Sequence, residues 1–412
     1  MSFDQAVTSF LEEATLTREE VSRFLDPSHP AWATFDEVLG YVPHPSTVPD
    51  GVDGAISTYR YGMFGERLTI NYADRPCRIN TYGDSMTQCH QVSDGETWQE
   101  QLAAHFGEPI RNFGVGGYGV YQAYRRLLRT EEKSCSAPYV VLNIFLDDHY
   151  RSLDAYRLLR LGKWWRDYDR SLRTSMFHAN PWQHVRIDPA SGRLDKRSNV
   201  CPTALSLFKL CDREFVVETF RDDLVVKLLV GFATSDFEFL REHEALAATV
   251  DVSLDLSSAE RGRLTAHRFY DACAFRSSLL LLEELRHVLD EQGKKLLVLL
   301  SYDERTVAAV CGGARRPDAD FVEALSQTRI PYADSLKAHQ SDYQAFAVDS
   351  GTYVHRYYNG HYTPLGNHFF AFAVKDAIRG WLAPGPSAYE GDEPSFATQA
   401  GRLALQPQAR RR

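Results

Sequence analysis

The chain has 412 residues, 44% of them hydrophobic and 12% aromatic, more than one minimal domain requires and ample for a large core. A formal net charge of -9 gives it no electrostatic reason to seek nucleic acid or an anionic membrane. No stretch approaches the roughly 20 apolar residues of a membrane span.

The opening residues Met1-Ser2-Phe3-Asp4-Gln5 carry an early acid and no basic-then-apolar leader, so no secretory signal is expected. The seven cysteines are scattered, with no C-x-x-C pair and no paired zinc spacing. They read as reduced thiols of a cytoplasmic protein, most of them small core hydrophobes.

Along the chain, residues 3–24 have helical spacing of apolar side chains. A proline-rich stretch at 27–49 reads as irregular, and 59–72 alternates aromatic and polar residues as a hairpin would. From residue 78 the pattern becomes regular. Arg78-Ile79-Asn80-Thr81-Tyr82 predicts a short strand ending at Gly83, residues 95–106 a helix, 109–113 a second strand and 121–130 a second helix. Residues 139–146 form a nearly continuous apolar run, as a strand buried on both faces does. This alternation implies right-handed crossovers and a parallel sheet. The rhythm then breaks. Residues 150–274 show no strand alternation and read as a helical insertion, either scaffold or a lid over a site. It resumes with a helix at 275–292, a strand at 295–300, a helix at 318–327, a strand at 330–333 and a last helix at 363–381. The domain plan is therefore an N-terminal segment (1–75) packing on the core, an α/β domain (76–384) interrupted at about 150–274, and a disordered tail (385–412).

Three blocks could carry chemistry. Gly83-Asp84-Ser85 follows the first strand directly, at the strand end where open α/β sheets bind ligands. The turn into the next helix leaves backbone N–H groups able to meet an oxyanion. Asn112-Phe113-Gly114-Val115-Gly116-Gly117-Tyr118-Gly119 follows the second strand, and its glycines allow close approach of backbone to ligand. Its spacing is not that of a dinucleotide fingerprint. Asn359-Gly360-His361 precedes the last helix and offers a candidate base. The run Asp147-Asp148-His149 is not read as a metal site, because consecutive residues at a strand end point to alternate sides. No metal and no cofactor are expected. Tyr150-Arg151 could hold an anionic substrate group.

Taken together, these blocks, with Val92-Ser93-Asp94-Gly95-Glu96-Thr97-Trp98 and Gln122, resemble the SGNH (GDSL-type) hydrolase superfamily across roughly 78–150 and 275–380. The resemblance implies a flavodoxin-like three-layer α/β/α fold with a parallel sheet. It also implies that Ser85 is the nucleophile, that His361 is its base, and that the N–H groups of Ser85 and Gly117 are oxyanion donors.

The sequence departs from the family at two positions. Asp148, with Asp147 as the alternative, stands where a donating asparagine is expected. An ionised carboxylate cannot donate a hydrogen bond. Asn359, with Tyr358 as the alternative, stands where an aspartate should orient the histidine. The departures leave three readings open: a weakened or dead hydrolase, an active enzyme in which Asp148 or Asp147 reaches His361 from a different place, or a different reaction such as acyl transfer to a non-water acceptor. The expected function is that of a serine esterase, deacylase or acyltransferase acting on a small acylated substrate. The alternative is a binding protein on the same fold with its catalysis impaired.

Overall fold

The computed structural model describes residues 1–28, 32–162 and 180–386. The chain forms two compact units, each assembled from three chain segments.

The unit made of Thr47–Gly116, Leu127–Leu146 and the chain from Arg286 onward holds the sheet. Its strands are β1 (Ile79–Tyr82), β2 (Arg111–Asn112), β3 (Tyr139–Phe145), β4 (Lys295–Ser301) and β5 (Tyr332–Asp334). All pairings are parallel and the order is 2-1-3-4-5, that of flavodoxin-like doubly wound sheets. β3 and β4 are almost wholly buried along their length, which is why both read as unbroken apolar runs. With its many helices the architecture is mixed α/β and compatible with a three-layer fold. The order reverses between β1 and β3, and at such a switch point the carboxyl ends of the strands diverge and leave a crevice.

Four helices of this unit matter for the site: α1 (Ser85–Gln88), α2 (Trp98–Phe106), α3 (Ser335–Tyr343) and α4 (Pro364–Trp381). Pro364 opens α4 behind the capping side chain of Thr363, as a proline at the first helical position can.

The other unit comprises Met1–Ser46, Gly117–Arg126 and Asp147–Leu285. The helical pattern at 3–24 resolves into two helices, Phe3–Glu13 and Arg18–Leu25, each opened by a capping box. The first packs against the helices Arg213–Phe220 and Leu224–Thr234. The segment 1–75 is thus divided between the units, the part to Ser46 lying with the helices of 213–234.

Among the described residues, hairpins also fall in stretches read as irregular or helical. Ala33–Asp36 pairs with Gly40–Pro43 inside the stretch read as irregular. Its turn is built by the Asp36 carboxylate, which accepts from the N–H groups of Val38 and Leu39. His184–Ile187 pairs with Leu194–Arg197 inside the segment read as helical. Each arm has only four residues, too few for alternation to stand out. The helix expected from residue 275 begins at Ala259 and runs to Glu291. Its first turns are dense in charge and contain Gly262, which hides the apolar stripe.

Trp164 and Trp165 of the expected insertion lie outside the described residues, as does nearly all of the tail. All seven cysteines are free thiols. Among the described residues no helix is long and apolar enough to cross a membrane, and no cluster of His, Cys, Asp and Glu is placed to hold a metal ion.

Candidate active site

Ser85 is the first residue of α1, directly beyond the carboxyl end of β1. Asp84 caps this helix, its Oδ1 accepting from the Met86 N–H at 2.8 Å. Its Oδ2 lies 3.2 Å from Ser85 Oγ. The turn is possible because Gly83 has no side chain: a Cβ there would meet Thr87 Oγ1 at 2.2 Å and the Asn143 carbonyl oxygen at 2.4 Å. Gly114 serves the same end, since a Cβ would stand 2.2 Å from the Gln88 nitrogen. The short helix is then tied down by its carbonyls. Trp98 Nε1–H donates to Met86 O at 3.2 Å, and the amides of Asn112 and Gln99 donate to Thr87 O at 2.8 and 2.9 Å.

His361 reaches the same place from the chain's far end. It sits in a tight hairpin of β6 (Tyr358–Asn359) and β7 (His361–Tyr362) turned by Gly360 at φ +80°. Its Nε2 lies 2.9 Å from Ser85 Oγ. The other ring nitrogen does not meet the residue expected to orient it. Asn359 is exposed on the hairpin, paired with His361 through the backbone register. Neighbours in such a turn cannot fold a short side chain back onto the ring. Tyr358 instead turns inward, donating to the Tyr302 carbonyl at 3.1 Å.

The orienting residue is Gln91. Its Oε1 lies 2.9 Å from His361 Nδ1 and 2.8 Å from the His361 backbone nitrogen. Its Nε2 donates to the Asp50 carbonyl at 3.0 Å. These backbone partners fix the amide's orientation, because an N–H can only donate and a carbonyl can only accept. With Oε1 thereby an acceptor, Nδ1 must carry the imidazole proton. Nε2 then presents its lone pair to the Ser85 hydroxyl, the tautomer a general base needs. Gln91 has φ +68°, and its own N–H donates to Tyr59 Oη at 2.7 Å while that hydroxyl donates to Asp50 Oδ2 at 2.8 Å.

The loop carrying Gln91 is organised by a buried arginine. Arg67 Nη1 donates to the carbonyls of Gln88 and Cys89, both at 2.6 Å, Nη2 to that of Val92, and Nε to Asp94 Oδ1 at 3.0 Å. Nothing in the sequence pattern singled out Arg67 or Gln91. The available signal was the polar run Gln88, His90, Gln91 following the nucleophile block without any periodicity. His90 joins the site too. Its ring lies 5.2 Å from that of His361 between centroids, and its Nε2 is 2.8 Å from Gln88 Oε1. Cys89 is no rival nucleophile: burial pushes its thiol up to about 12, which keeps it protonated.

The donor expected at Ser85 is its backbone N–H. It belongs to the first turn of α1, where an amide has no acceptor within its helix. The Gly116 N–H is occupied by Gln88 Oε1.

The remaining expected residues belong to the unit of Asp147–Leu285. Gly117 has φ +82° there, and a Cβ on it would overlap Arg157. Asp148 is buried and accepts from Arg151 Nη1 at 2.8 Å, a pairing that opposes the protonated, donating form an oxyanion site would require. Asp147 accepts from Arg151 and Arg160. Burial raises its carboxyl, but Arg160 and Arg151 overcome this and hold it well below the usual range. Arg151, expected to take an anionic group, is consumed by these two carboxylates and by the Tyr118 carbonyl. Tyr150 donates to Asp271 at 2.8 Å.

No protein-family model matches the chain, and no curated protein is significantly similar to it.

Proposed function

We propose that the chain is a serine-nucleophile acyl hydrolase or acyltransferase acting on a small acylated substrate, of the SGNH type that its blocks resemble. The observation carrying this reading is the 2.9 Å approach of His361 Nε2 to Ser85 Oγ, with Gln91 holding the proton on Nδ1. Ser85 Oγ attacks the acyl carbon as its proton passes to Nε2, and the developing oxyanion is met by the Ser85 N–H. The imidazolium then protonates the leaving group. A second acceptor, water or an alcohol, repeats the sequence in reverse to release the acyl group. The strand order supports the placement, since the nucleophile follows a strand at the switch point.

The test is labelling by a fluorophosphonate probe together with turnover of short acyl esters. Wild type should label and turn over, and Ser85→Ala and His361→Ala should each lose both. Wild-type protein that neither labels nor turns over would discard the reading. The neutral Gln91 behind the base favours the second reading, a ligand-binding protein with impaired catalysis, and that same negative result would favour it.

A further inference from the structure

Arg157 occupies a setting that is costly for a guanidinium unless an anion meets it. The residue is 4% exposed, and a buried ion is stable only when paired and hydrogen-bonded. The nearby carboxylates are already engaged: Asp147 by Arg151 and Arg160, Asp148 by Arg151, and Asp154 by Arg160. Among the described residues Arg157 makes no ion pair. Its Nη1 lies 3.3 Å from the Tyr41 hydroxyl, and its Nε is buried with no hydrogen-bond partner. Nor does it shed its charge, since burial brings its pKa down only to about 10.

The surroundings leave the Nε donor of the group unmet. The Trp182 ring lies 5.8 Å from the guanidinium carbon and is itself anchored, its Nε1–H donating to the Asp154 carbonyl at 2.7 Å. Gly117 closes on Nη1: a Cβ there would stand 1.7 Å from that nitrogen and 2.7 Å from Tyr41 Oη. Any other residue at 117 would push the guanidinium aside. Nη1 is thus enclosed by Gly117 and Tyr41, and the buried donor without an acceptor is Nε.

We infer that Arg157 is a binding site for a carboxylate group of a ligand, taken side-on by Nε–H and the adjoining Nη2–H. The planar fork of a guanidinium matches the two oxygens of a carboxylate. A monoanion suits the site better than a phosphate dianion. Asp147 and Asp154 act on Arg157 electrostatically from close by, so every further negative charge on the ligand adds to repulsion from buried carboxylates.

The experiment is a titration of the full chain, labelled with 15N-arginine, with sodium butyrate, and separately with sodium phosphate and sodium chloride at matched ionic strength. The Arg157 Nε–H resonance should move downfield and saturate with butyrate by roughly tenfold above a millimolar Kd. Phosphate should bind at least tenfold more weakly and chloride should have no effect. Arg157→Met should abolish calorimetric binding of butyrate while melting no earlier than wild type, because it removes a buried unpaired charge at little change in volume. Absence of a saturable shift, persistence of binding in Arg157→Met, tighter binding of phosphate, or a marked fall in melting temperature for Arg157→Met would each overturn the assignment. The titration measures no turnover, so its outcome is separate from that of the esterase test.

Discussion

Gln91 fixes the tautomer of His361 but offers it no counter-charge. A carboxylate at this position would do both, and the imidazolium that the proposed acyl transfer would form gains most from the charge. The two contributions can be separated by substitution. Gln91→Ala removes the acceptor from Nδ1 and the backbone N–H of His361 alike, so the ring can rotate and change tautomer. kcat for a short acyl ester should fall by about 10- to 100-fold, less than the roughly 100- to 10,000-fold that a positioned base contributes in full, because the base itself remains. Gln91→Glu keeps the acceptor and adds a charge beside the ring, at the cost of the bond to the Asp50 carbonyl. An adjacent opposite charge favours the imidazolium. The acid limb of the kcat/KM profile should therefore move to higher pH, and kcat should rise. Unchanged profiles in both variants would show that Gln91 merely packs against the ring.

At the scale of elements, α1 is too short to hold itself and is held by what surrounds its ends. Arg67 carries much of this, bonding three carbonyls of the loop between 88 and 92 and the Asp94 carboxylate. Both members of that ion pair are 2% exposed or less, so breaking it strands a buried charge and leaves carbonyls without donors. Arg67→Met should cost about 3–5 kcal/mol in denaturant unfolding. It should also loosen Gln91, so that the proposed esterase activity falls even where the protein stays folded. A loss of stability below about 1 kcal/mol, the level of an exposed pair, would show that the loop does not depend on this residue.

These two residues also mark where the sequence stopped being legible. The sheet could be read because β3 and β4 are buried on both faces, and burial writes itself as an apolar run. Ser85 and His361 stood out because each lies where a regular element meets a turn. Gln91 lies in a left-handed turn outside any element, and its partner is 270 residues away. Arg67 bonds carbonyls, and a carbonyl is present at every residue, so no side-chain pattern announces the contact. The short hairpins were missed for a related reason: the Asp36 and Asp188 turns that make them are single-residue devices.

At the scale of the whole molecule, each unit contains a histidine that burial keeps neutral. In one, His339 of α3 is pushed down to about 3; Nδ1 meets the Tyr353 hydroxyl, and Nε2 meets those of Tyr358 and Tyr362. Asp342 joins this cluster through the hydroxyls of Tyr353 and Tyr357. In the other, His184 is also pushed down to about 3, by burial and then by Arg186. Both folded values lie below the ordinary 6.5, so between about 3 and 6.5 the unfolded chain binds more protons than the folded one. The stability these histidines contribute is fully present above pH 6.5 and is lost as pH falls toward 3. The melting temperature should therefore begin to drop on acidification through pH 6, before the carboxylates titrate. His339→Phe should melt lower than wild type at pH 7.5, because it takes one hydrogen bond from each of three buried hydroxyls, yet should lose less on going from pH 7.5 to 5. His184→Phe should behave likewise, and the double variant should show the flattest profile of melting temperature against pH. A double variant whose profile runs parallel to that of wild type would place the acid sensitivity in other groups.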